Sequence, residues 1–335
     1  MATTLKDMAR ILNVTSSTVS RVLSKNTGAS EETKKRITEL AKMLNYRPNP
    51  VAQALVLKQT RIINIIIPQT SEFVFSNPFY SQILSGVGIA ARQRKYYLNI
   101  SLFQEMNIQT LDVFPIASGV LVLSNRLGDE NILREKFRGI PTVTIPGFLR
   151  KTDFSTADFD NLNGAKDVID YLFSLGHQRI AFISGPKGAK HSMVREKGFR
   201  EAFQKNKLFL DDSLVVEGDF TEASGVRGIE KLIGVSPPPT AVVCVNDVTA
   251  VGALWAAKRA GLNVPRDLSI VGFGDIPLVA LLAPALTTIR EPFVELGGKA
   301  INLLIDLIEG KKSQREDIVV SVELVVREST APPKL

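Results

Sequence analysis

Residues 13–24 read NVTSSTVSRVLS. On a helical wheel Ser16, Ser17, Ser20 and Arg21 fall on one side, and Val19, Val22 and Leu23 on the other. Hydroxyls and a guanidinium on one helix face can hydrogen-bond the edges of bases. Short side chains permit close approach to a major groove, and an arginine can grip a guanine at two atoms. A second polar group lies far along the chain. His191 and Arg195 are four apart, on one face near the start of an expected helix, and Lys187 and Lys190 precede them. A helix N-terminus with cationic side chains suits a phosphate or a carboxylate, so the pattern predicts an anionic small molecule.

The serine-rich segment needs a scaffold, and residues 4–45 supply one as three short helices. Thr4 with Asp7 reads as a capping box opening the first, with Leu5, Met8, Ala9 and Leu12 at helical spacing. Asn13 and Val14 are the whole link to the second, and asparagine tolerates the left-handed backbone of a tight turn. Thr15 can cap the second helix. Ser30 can cap the third, which carries Glu31 and Glu32 in its first turn and an apolar stripe of Ile37, Leu40, Ala41 and Leu44. Residues 46–60, YRPNPVAQALVLKQT, predict a linker helix capped by Asn49 and started by Pro50. At about two turns it is too short to be stable alone.

From Arg61 the pattern becomes strand–helix alternation. Short apolar runs fall at 62–67, 98–102, 119–123 and 142–145, and a second round follows Asp160 at 179–184, 214–216, 241–245 and 268–273. Runs rich in valine and isoleucine between helices predict parallel strands covered on both faces, hence two similar α/β lobes with a ligand cleft between them. The segment after Leu286 and a helix from Phe293 to Glu309 are expected to cross back between lobes. The predicted organisation is a helical head at 1–46, a hinge at 47–60 and an effector and dimerisation region at 61–335. Its first lobe takes 61–160 plus 291–320, and its second 161–288 plus 321–330.

The chain of 335 residues carries a net charge of +7. Ten of its Lys and Arg and only four of its acids lie in the first sixty residues, so +6 sits there and +1 on the other 275. A small basic domain beside a near-neutral large one points to a polyanion partner. Nothing reads as a membrane span or a secretory signal, and the single Cys244 fits a reducing cytoplasm. Signals for catalysis or cofactors fail. Gly86-x-Gly88-x-x-Ala91 imitates a dinucleotide fingerprint but lies inside a helical stretch. SGPKGAK lacks the spacing of a phosphate-binding loop, and two His with one Cys make no convincing zinc set or nucleophile pair. No cofactor, metal or enzymatic activity is expected. His177 reads as structural, between a helix C-terminus and a strand.

TLKDMARILNVTSSTVSRVLS followed by NYRPNPVAQAL resembles the DNA-binding head and hinge of the lac repressor/galactose repressor family of bacterial transcriptional regulators. The resemblance continues through NPFY at 77–80, FDN at 159–161, LGHQRIAFISGP at 175–186 and REKGF at 195–199. It extends to GDF at 218–220, ND at 246–247, VPRDLSIVGFGD at 264–275 and PALTTI at 284–289. It implies an α/β fold in which a helix-turn-helix head and hinge helix join a two-lobed core like periplasmic binding proteins.

The resemblance also implies a cytoplasmic homodimer on a near-palindromic double-stranded operator. Such a protein is a repressor controlled by a sugar, sugar phosphate or related metabolite. The alternative is control by a docked phosphocarrier protein. Without a leucine-heptad tail, tetramers are not expected. DNA contacts carry over to Thr4, Ser16, Ser17, Ser20, Arg21, Asn49 and Leu55. Leu55 would be the wedge that opens a minor-groove step, with Val51, Ala52 and Val56 packing the paired hinges. Effector contacts carry over to Phe79, His191, Arg195, Phe220, Asn246 and Asp275. Two departures stand out. Pro146 falls where many relatives have an acid, and Gly274-Asp275 replaces a pair of acids.

Overall fold

The computed structural model describes residues 4–25, 27–46, 60–102, 116–123, 130–146 and 154–334. The chain divides into two units, residues 1–61 with 116–118, and the remainder.

The first unit holds α1 (Leu5–Leu12), α2 (Ser16–Lys25) and α3 (Glu31–Met43). The capping box forms. The Thr4 hydroxyl accepts from the Asp7 amide at 3.3 Å, and the Asp7 carboxylate accepts from the Thr4 amide at 3.0 Å. These contacts hold the Asp7 carboxyl below the usual carboxylate range. Asn13 takes the left-handed conformation at φ 53° and its amide closes back on Ala9 and Arg10. Thr15 caps α2 through the Thr18 amide, and Ser30 caps α3 through the Thr33 amide. Met8, Val19, Val22 and Ile37 form the buried core. Leu44 departs from the expected stripe, because α3 ends at Met43 and leaves Leu44 exposed as its C-cap.

The second unit is built on two six-stranded sheets. The first contains β1 (Ile62–Ile67), β2 (Tyr97–Leu102), β3 (Gly119–Leu123), β4 (Thr142–Ile145), β5 (Ser155–Phe159) and β11 (Asp317–Val320), in the order β11-β5-β4-β3-β1-β2. Every pairing is parallel. The second contains β6 (Ile180–Ile183), β7 (Val215–Val216), β8 (Ala241–Cys244), β9 (Ser269–Gly274), β10 (Thr287–Arg290) and β12 (Glu323–Val325), in the order β12-β10-β9-β8-β6-β7. Here only β12 is antiparallel to its neighbour.

Helices α4 (Ser71–Ser76), α5 (Pro78–Gln93), α6 (Glu130–Lys136) and α11 (Phe293–Ile308) flank the first sheet. Helices α7 (Asn161–Ser174), α8 (Lys190–Lys205), α9 (Glu222–Leu232) and α10 (Asp247–Arg259) flank the second.

Strands β5, β10, β11 and β12 were not expected. Of these, β5 and β10 hide because their sequences are polar for strands: Ser155, Thr156, Asp158, Thr287 and Thr288 are all buried. Their hydroxyls are satisfied inside the sheets. Thr156 donates to Asp317 at 2.8 Å, and Ser155 accepts from the Glu316 amide at 3.1 Å. Cross-strand partners of this kind come from distant sequence and leave no local period.

Glycines set two helix crossings. A Cβ on Gly86 of α5 would fall 2.0 Å from the Val294 carbonyl oxygen of α11, and one on Gly252 of α10 would fall 1.9 Å from the Glu222 carbonyl oxygen of α9. Gly86, the first glycine of the 86–91 pattern, therefore serves close helix packing.

Candidate functional site

In the head, α2 presents Ser17 and Arg21 to solvent, with Ser16 and Ser20 half-buried beside them. Val19 and Val22 hold this face outward by packing on α1 and α3. The Arg21 Nε lies 3.4 Å from the Ser17 carbonyl oxygen, a long contact for a hydrogen bond. The Thr4 hydroxyl is engaged in its cap and also donates to Asp7 at 2.7 Å. Asn49 and Leu55, with the rest of the expected hinge at 47–59, lie outside the described residues.

In the second unit a cavity of about 420 Å³ opens between the lobes. Phe79, His191, Arg195, Phe220 and Asn246 all line it, from segments spread over nearly 170 residues of sequence. Pro146 lines it too, where an acid was expected from the resemblance. Asp275 does not. Its carboxylate is held by Arg327 at 2.6 Å and Arg290 at 2.8 Å.

Each wall residue has a local reason for its place. Asn77 caps α5 through the Phe79 amide at 3.0 Å, and the Phe79 ring then meets Tyr80, Phe293 and His191 edge to face, with centroids 5.0, 5.6 and 5.9 Å away. Phe220 has φ 68°, a costly backbone for an aromatic residue. The Asn246 amide nitrogen donates to its carbonyl at 3.2 Å, and Gly185 leaves room for its ring. Asn246 also caps α10 by accepting from the Thr249 amide at 2.8 Å. One side chain thus holds both the aromatic wall and a helix start.

The lysines and the arginine of the expected anion site each face an acid. Arg195 is buried, stacks on the Phe273 ring at 3.7 Å, and donates to Asn161, to the Val245 carbonyl and to Glu291. Burial presses its pKa down and the Glu291 carboxylate opposes that. Lys190 is ion-paired with Asp158, and His191 Nε2 lies 3.6 Å from the same carboxylate. Lys187, exposed, pairs with Glu217 at 3.6 Å. A phosphate- or carboxylate-bearing effector, the expectation from sequence, would have to compete with these acids. The sequence pattern shows Lys190 and Arg195 but not Asp158 and Glu291, the acids that pair with them. Asp158 had one visible signal, as a charge inside the short segment STADF.

Asp247, at the first turn of α10, also lines the cavity. Its carboxyl accepts from Thr288 at 2.5 Å and from the Ile276 amide at 2.8 Å, and burial pushes its pKa up to about 7. Gly272 makes the space, because a Cβ there would fall 2.2 Å from the carboxylate. His177 is structural: its ring joins Thr240 and the Ala331 carbonyl, each at 2.9 Å, and so pins the C-terminal segment to the second lobe. Among the described residues no cluster could hold a metal ion, and no helix is long and apolar enough to cross a membrane.

Comparison with known proteins agrees with this geometry. Residues 4–49 match the model of bacterial regulatory proteins of the lacI family, and residues 169–330 match the periplasmic binding protein-like domain. The chain is 34% identical over 334 residues to the HTH-type transcriptional repressor CytR of Escherichia coli (strain K12), covering 98% of this chain and 96% of that protein. It is similar in structure to the lac repressor dimer bound to operator and the anti-inducer ONPF, with a TM-score of 0.88 at 26% identity over 99% of this chain and 100% of that one. It is also similar to a complex of the transcriptional regulator CelR with cellobiose, with a TM-score of 0.76 at 29% identity over 98% and 99% of the two chains. A helix-turn-helix head, two α/β lobes and a cavity between those lobes, in a chain aligned end to end with a repressor, make this protein a member of the LacI family of DNA-binding transcriptional regulators, not an enzyme.

Proposed function

We propose that this protein is a homodimeric repressor that binds a near-palindromic operator and is controlled by an uncharged, hydroxyl-bearing small molecule in the interlobe cavity. Ser16, Ser17, Ser20 and Arg21 would face base edges, with Thr4 at the head's first helix start and Asn49 and Leu55 in the hinge. Phe79, His191, Arg195, Phe220 and Asn246 would form the effector wall. The observation that carries the effector class is charge balance. Every cation on the cavity wall already faces a carboxylate, while Phe79, Phe220 and Phe293 offer apolar faces to a ring. The CelR–cellobiose complex supports a sugar-like ligand.

A dimer is supported by the likeness to the lac repressor dimer. It is supported also by exposed apolar residues on the second unit. Tyr97 and Ile100 lie on edge strand β2, and Trp255, Leu278 and Leu281 lie on the second lobe. A regulator of this kind works in the cytoplasm, where its operator lies.

Closing the lobes on a ligand can change DNA affinity only if the DNA-competent and incompetent states bind that ligand differently. The test is operator selection from random duplexes, followed by titration of the complex with neutral sugars and glycosides and with their phosphorylated forms. The expected result is a near-palindromic consensus and a response to neutral ligands. Sequence-blind binding, or a response confined to phosphorylated ligands, would overturn this reading.

A further inference from the structure

We propose that Asp158 determines the charge class of the effector: its carboxylate fills, from within the protein, the electrostatic place that an anionic ligand would otherwise take. The inference rests on the interlobe cavity being the effector site. Asp158 lies near the end of β5 in the first sheet, whereas Lys190 and His191 open α8 beside the second. Lys190 and His191 line the cavity and Asp158 does not, so the acid stands behind the wall that its partners form.

Helix α8 has Ala189 at its N-cap and so no side-chain cap, and its first turn brings positive potential to the same spot. Left to themselves, an ammonium, an imidazole and a helix N-terminus would favour a phosphate. Asp158 takes the ammonium as its partner and stands 3.6 Å from the imidazole. Among the described residues it is the one carboxylate within ion-pair distance of Lys190.

The acid is fixed in place. Its Oδ1 accepts from the Phe159 amide at 2.8 Å and from Asn161 Nδ2 at 3.2 Å, while Oδ2 takes Lys190. Burial alone would raise its pKa. The His191 ring and the Lys190 ammonium outweigh burial and hold the carboxyl below its ordinary value, so it is ionised at neutral pH. A ligand phosphate would therefore meet a buried negative charge and a lysine already engaged. An uncharged ligand meets neither cost.

The experiment titrates the full-length protein with inorganic phosphate and with glucose 6-phosphate, using wild type, Asp158→Asn and the double variant Asp158→Asn/Lys190→Met. Asparagine keeps the acceptor that faces Phe159 and Asn161, removes the charge and puts an amide NH2 in place of the oxygen that faces Lys190. The single variant should bind both anions at least about tenfold more tightly than wild type, the effect of one released cation in a partly buried site. The double variant should lose that gain. Thermal melts verify folding, and Asp158→Ser provides the same readout if asparagine is not tolerated. A folded variant with unchanged anion affinity, or wild type binding glucose 6-phosphate as tightly as the variant, overturns the proposal. The readout needs neither operator nor native effector, so it succeeds or fails independently of the operator assay.

Discussion

The guanidinium of Arg195 and the carboxylate of Glu291 meet at 2.6 Å, with the two side chains only 3% and 4% exposed. Arg195 belongs to α8, and its Nε donates at 2.7 Å to Asn161, the first residue of α7 just past β5. Glu291 lies between β10 and α11, where the chain returns to the first sheet. One buried arginine therefore ties together two of the segments that pass between the lobes.

Breaking this pair should be costly. Arg195→Ala leaves Glu291 as an uncompensated buried charge, and the expected loss is ~3–5 kcal/mol in urea unfolding. Glu291→Gln keeps an acceptor for the guanidinium and should lose less. If the two substitutions are equally mild, the pair does not hold the lobe junction.

The helix crossings offer a matched pair within α5. Gly86→Ala places a Cβ 2.0 Å from the Val294 carbonyl oxygen and must push α11 away, at a cost of about 1–3 kcal/mol or more. Gly88→Ala meets nothing within 4 Å and should be neutral, or stabilising by roughly 0.4–1 kcal/mol through the unfolded chain. Equal effects of the two in thermal unfolding would refute the packing role given to Gly86.

Two buried groups give opposite pH slopes. Asp247 titrates near 7 when folded and near 3.8 when unfolded, so the folded state holds its proton more tightly. Its contribution is full below about 3.8 and is lost as pH rises towards about 7. His177 has a depressed pKa caused by burial, so its contribution is present above its ordinary value of 6.5 and is lost as pH falls below it. Asp247→Asn should therefore flatten the decline in stability between about pH 5 and 7. His177→Gln should remove the acid-side loss. Denaturant midpoints measured across this range separate the two. A decline in stability with rising pH that persists unchanged in Asp247→Asn would assign it to other groups.

In the head, Arg21→Ala should weaken operator binding by ~1–3 kcal/mol and relax preference at one base pair, while binding to unrelated duplex changes little. Leu55→Ala should likewise weaken operator binding more than nonspecific binding. Competition assays at fixed salt measure both. Parallel losses on operator and random DNA would move these residues from base reading to backbone contact.

Local chemistry made much of this protein legible. The capping box of Thr4 and Asp7, the left-handed turn at Asn13 and the caps at Thr15 and Ser30 each depend on neighbours within four residues. The apolar strands at 62–67, 119–123 and 142–145 announced themselves by composition and occupy the expected residues. Segments such as STADF and TTIR did not, because their polar side chains are satisfied only by partners far away in the chain.

By itself, then, the sequence determined the head, the alternation of strands and helices, and the residue types available to a ligand. What those residues can bind was decided by tertiary structure. Basic residues near one helix start read as an anion site until folding brought Asp158 against Lys190 and Glu291 against Arg195 from other segments. Asp275 read as an effector contact, and folding set Arg290 and Arg327 against it. Electrostatics depends on distance through space, and distances between residues a hundred positions apart are set only when the chain has folded.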